Sequence, residues 1–184
     1  MTETVSSVLI PWSNFYIMTG SAAAGLTGLM FVVITLVTGV ERLRRAPDGI
    51  STFSTPTVAH FGAALLVSAI LNAPWPTLVF PSVLLALAGL YGVVYVVHLV
   101  SRARRLSLYN PDIEDWTWYT VLPFLAYAAI LVGGIVLWRA AVPALFALAA
   151  GALSLIFIGI RNAWDIVTYI AIGRPNDQAD ANET

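Results

Sequence analysis

Residues 81–100 read Pro81-Ser-Val-Leu-Leu-Ala-Leu-Ala-Gly-Leu-Tyr-Gly-Val-Val-Tyr-Val-Val-His-Leu-Val100, twenty positions without a single Asp, Glu, Lys or Arg. A helix rises about 1.5 Å per residue, so such a run reaches about 30 Å, the thickness of bilayer hydrocarbon. Working outward, four further stretches have the same character: Phe15 to Val40, Thr57 to Ala73, Trp116 to Leu137 and Val142 to Ile160. The reading is an all-α integral membrane bundle with five transmembrane helices. Composition agrees, with 59% apolar residues and 10% charged, against roughly 25% charged in soluble domains. Residues 1–174 are expected to form one bundle, and 175–184 a flexible polar tail.

Charge placement orients the bundle. All nine basic residues are arginine. Arg42, Arg44 and Arg45 follow the first stretch, Arg102, Arg104 and Arg105 the third, and Arg161 and Arg174 the fifth; only Arg139 lies in a connection on the other side. Short loops rich in basic residues stay cytoplasmic. This puts the amino terminus outside and the carboxyl terminus in the cytoplasm. The first thirteen residues hold Glu3 and no basic residue, so the first helix is expected to remain as an anchor rather than be removed as a signal. Trp12, Trp75, Trp116, Trp118 and Trp138 stand at span ends, where tryptophan anchors helices at the interface.

Small residues suggest how the helices meet. In lipid the apolar surface of a helix gains nothing by leaving its solvent, so association depends on close packing, which Gly and Ala permit. Gly20, Ala24 and Gly28 recur at every fourth position of the first stretch, with Ser21 and Gly25 beside them. This set is read as a packing face, either within the bundle or between subunits. Ala88 and Gly92, Ala129 and Gly133, and Ala147 and Gly151 repeat the spacing more weakly. Pro123 is expected to bend the fourth helix. The fifth is expected to run from Pro143 to Ile172, past the bilayer, before Gly173 and Pro175 stop it.

Polar residues inside spans carry a cost and call for a role. His60, Tyr95, His98, Arg161, Asn162 and Asp165 gather near the cytoplasmic ends of their helices and define a polar layer. Three readings stay open: a hydrogen-bonded network closing the bundle, a haem or metal held by His60 and His98, and the lining of a pore. Arg161 precedes Asp165 by four residues, the weaker order for a pair on one helix, so pairing of Arg161 across helices with Asp112, Glu114 or Asp115 is expected. Cysteine is absent, which removes disulfides and thiolate chemistry. No Asp, Glu, Lys or Arg sits near mid-span and no catalytic, phosphate-binding or selectivity-filter motif occurs.

The runs Asn14 to Val33, Asp115 to Pro123 and Gly159 to Tyr169 resemble segments of small, uncharacterised multi-pass proteins of the bacterial inner membrane. The resemblance implies that location and draws attention to Asn162, Trp164 and Asp165; it brings no activity, cofactor or partner. The expected function is non-enzymatic, exerted through assembly, as a small homo-oligomer that encloses a pore. The alternatives are an intramembrane redox protein using His60 and His98, or an accessory subunit of a larger membrane complex. Expected partners are the lipid bilayer and either further copies of the chain or another membrane subunit, with no nucleic acid.

Overall fold

A computed structural model describes residues 5–38, 47–103 and 116–172, all helical apart from two short turns. Arg42, Arg44, Arg45, Arg104, Arg105, Arg174, Asp112, Glu114, Asp115 and the expected tail lie outside the described residues. The helices are α1 (Val5–Thr38), α2 (Pro47–Asn72), α3 (Val79–Ala103), α4 (Leu122–Val136) and α5 (Ala141–Ile172), with a π-helical turn, Thr117–Val121, leading into α4. Four segments are long and apolar enough to cross a membrane: Ser7–Thr35, Val79–Ser101, Thr117–Val136 and Ala141–Asp165. The apolar part of α2, Pro56–Asn72, is shorter. Its first two turns carry Asp48, Ser51, Thr52 and Ser54, which interrupt the apolar run.

α5 occupies the middle. It packs on α2 to one side and α4 to the other, α1 lies against α2, and α3 lies against α4. Leu145, Leu148, Leu155 and Ile158 of α5 are fully buried and fill the centre with Ile130 and Leu85. The outer surface is equally apolar: Phe31, Leu87, Val97, Leu125, Phe146 and Phe157 are all exposed. Such a surface aggregates in water and is at ease among acyl chains.

α1 begins ten residues before the apolar run that predicts it, because Val8, Leu9 and Trp12 find cover against the core. Trp12 meets Phe146 edge to face at 4.7 Å, and Tyr16 is buried with its hydroxyl donating to the Leu145 carbonyl at 3.0 Å. Trp12 therefore serves as a packing residue of the α1–α5 contact. The two described turns are short. In the first, Trp75 Nε1 donates to the Ile70 carbonyl at 2.6 Å and the indole stacks near Phe80. In the second, the amides of Arg139 and Ala140 both donate to the Val136 carbonyl at 2.9 Å. As expected, α5 runs on to Ile172, 32 residues or about 48 Å.

At Pro123, where sequence predicts a bend, the structure has the π turn. Leu122 N–H donates to the Thr117 carbonyl, five residues back instead of four. Proline has no N–H and its ring crowds the carbonyl four residues earlier, that of Tyr119. Widening the turn just before Pro123 relieves that crowding, and it also re-aims Trp118 and Tyr119.

Candidate functional site

The polar layer resolves into two unequal parts. The enclosed part joins α2 to α4: His60 is 3% exposed, and its Nδ1 lies 3.0 Å from Tyr127 Oη. Which partner donates follows from the imidazole tautomer. Tyr127 reaches α2 only because α3 offers no side chain at position 92. A methyl group built on Gly92 would fall on the Tyr127 ring. Tyr95, one turn further along α3, is half-buried and packs against the core to which Tyr127 belongs. Thr57, one turn before His60, is fully buried as well.

The rim part is built by α5 and the π turn. Arg161 Nη1 donates to Asp165 Oδ1 on the same helix. The residues expected to pair with Arg161 across helices, Asp112, Glu114 and Asp115, lie outside the described residues. Sequence order weighs against the pair, but the π turn supplies two further contacts that hold it. The Trp118 ring lies under the guanidinium, 5.7 Å from its centroid, and the Tyr119 hydroxyl donates to Asp165 Oδ2 at 3.3 Å. Trp118, expected from sequence as an interfacial anchor, thus packs against the Arg161 guanidinium.

Asn162 follows Arg161 on α5. It is 1% exposed, and neither its Oδ1 nor its Nδ2 has a hydrogen-bond partner. An amide enclosed without partners costs about 1 to 3 kcal/mol by mutational measures.

The two histidines have unlike environments. His98 is exposed on α3, as is Tyr91 about two turns earlier, while His60 is enclosed and engaged by Tyr127. Among the described residues no group of three or more His, Asp or Glu side chains is gathered to hold a metal.

The small residues of α1 divide in the same manner. Gly20 faces α2, where an added Cβ would stand 2.9 Å from Ser68 Cβ. Ala24, Gly25 and Gly28 are exposed, with nothing within 4 Å of a Cβ built on either glycine. The cause is geometric: each step of four residues turns about 40° past a full revolution, so Gly28 lies about 80° around the helix from Gly20. The glycines in closest contact are elsewhere. A methyl group on Gly89 would strike the Leu131 backbone, and one on Gly134 the backbone of Leu85 and Ala86; one on Gly151 would stand 2.8 Å from the Ala126 carbonyl oxygen.

Fold and layer together define a class, a helical bundle with four helices of membrane-crossing length and a small polar cluster at one end. No family model matches the chain, and no curated protein or solved structure matches it.

Proposed function

We propose that the chain is a five-span protein of the bacterial inner membrane, amino terminus outside, that works by self-association along α1. The observation carrying this reading is the uncovered face formed by Ser21, Ala24, Gly25 and Gly28. Within the bundle, glycine stands where a neighbouring backbone or ring occupies the space of a side chain, at Gly89, Gly92, Gly134 and Gly151. On α1 the same residue type opens a shallow trough, flanked by exposed Ile17, Met18, Leu29 and Val32. A second α1 seated there gains the close backbone approach that lipid cannot provide. Any conduction path in this reading runs between copies, since Leu145, Leu148, Leu155 and Ile130 fill the interior of one.

Light scattering of the detergent-purified protein tests assembly. The wild type is expected to be oligomeric, and Gly25→Leu or Gly28→Leu to reduce the mass to that of one chain while the melting temperature of the bundle holds. A monomeric wild type, or an unchanged mass in both variants, removes the proposal. Orientation rests on eight arginines against one. A cytoplasm-dependent reporter should work after Thr184 and fail when inserted between Asn72 and Val79; the reverse pattern inverts the topology.

A further inference from the structure

Toward the Arg139 turn, the seam between α3 and α4 carries an open groove of 340 Å³. Val79, Val83, Ile135 and Trp138, all about half exposed, form its sides, and buried Ser82 and Gly134 line its floor. Two features separate it from ordinary apolar surface. Ser82 is 4% exposed and its Oγ has no hydrogen-bond partner. Arg139, next in the chain to the groove-lining Trp138, holds its guanidinium 4.3 Å from the centroid of the Trp138 ring and makes no ion pair among the described residues.

We propose that this groove binds one phospholipid with a net negative headgroup. An apolar channel open to the bilayer accepts an acyl chain. The Arg139 guanidinium beside the Trp138 wall donates to the phosphate. Ser82 lies about one helical turn deeper than the start of α3, the level at which the ester carbonyl of a lipid so anchored falls. Rotation about χ1 turns its hydroxyl toward that oxygen as a donor. The occupant is thus specified at three depths: phosphate, ester and chain. The site belongs to α3 and α4 and does not depend on assembly through α1.

Native mass spectrometry of delipidated protein titrated with phosphatidylglycerol or phosphatidylcholine tests the proposal. Wild type is expected to take up one phosphatidylglycerol in preference to phosphatidylcholine. Arg139→Gln should weaken phosphatidylglycerol about tenfold, the range of one charge-assisted hydrogen bond, and phosphatidylcholine less, because choline already offsets the charge of its phosphate. Ile135→Trp, which fills the groove from an exposed position, should weaken both lipids; Val83→Phe repeats the test should that variant fail to fold. Equal uptake of the two lipids by wild type overturns the headgroup assignment. Unchanged uptake in Arg139→Gln and in the filled variants overturns the site. A filled variant that loses a dimer while keeping its lipid shows that a second copy occupies the groove, which also overturns it.

Discussion

The seam between α3 and α4 and the outer face of α1 are both rich in small residues, and they behave in opposite ways. At the seam, Gly89 and Gly134 meet the facing backbone so closely that no side chain fits between. On α1, Gly25 and Gly28 look into open space. Small residues permit close approach but do not say what approaches. The regular spacing on α1 catches the eye, yet the irregular pair Gly89 and Gly134 bears on the fold of the single chain.

The same chemical change should therefore have opposite effects in the two places. Adding one methyl group at Gly134 pushes it into the Leu85–Ala86 backbone, which cannot yield as the end of a flexible side chain can. Gly134→Ala should cost about 3 kcal/mol, the upper part of the range for overpacking. Gly28→Ala adds its methyl group to empty space and replaces the poorer helix former, so stability of the single chain should hold or rise by up to about 1 kcal/mol. Unfolding both variants in a graded series of sodium dodecyl sulfate measures this. Equal losses would mean that the α1 face is as tightly covered as the seam, and the contrast would disappear.

Much of the architecture is legible in sequence, because helix existence depends on the length of apolar runs. The spans of α3, α4 and α5 follow from that alone. Which way each helix faces does not follow. In a soluble helix the polar side marks the surface, but here exposed Leu87 and Val97 are chemically the same as buried Leu85 and Val96. The turn at Pro123 is signalled by a missing N–H, yet its π form depends on how the chain before it is accommodated. His60 is recognisable as a polar residue needing a partner. Its pairing with Tyr127 requires the vacancy at Gly92 on a third helix, information spread over positions that no local pattern connects. Asn162 and Asp165 are three residues apart, and only the fold makes one enclosed and the other about a third exposed.

That last difference yields the smaller prediction, a comparison within the polar layer. Tyr127→Phe removes one oxygen and keeps the ring that fills the space beside Gly92. It leaves the enclosed His60 without its observed partner, and the loss should be about 1 to 3 kcal/mol. In the double variant with His60→Leu the loss should be less than the sum of the two single losses, because the second change removes the group that the first left unsatisfied. Asp165→Asn breaks the ion pair with Arg161, but both side chains are about a third exposed, at 36% and 34%. Polar surroundings can take over that contact, so its loss should stay within about 1 kcal/mol. If Asp165→Asn instead proves the costlier change, the Arg161 pair on its Trp118 and Tyr119 support is the principal fastening of the α4–α5 end, and the enclosed histidine is secondary to it.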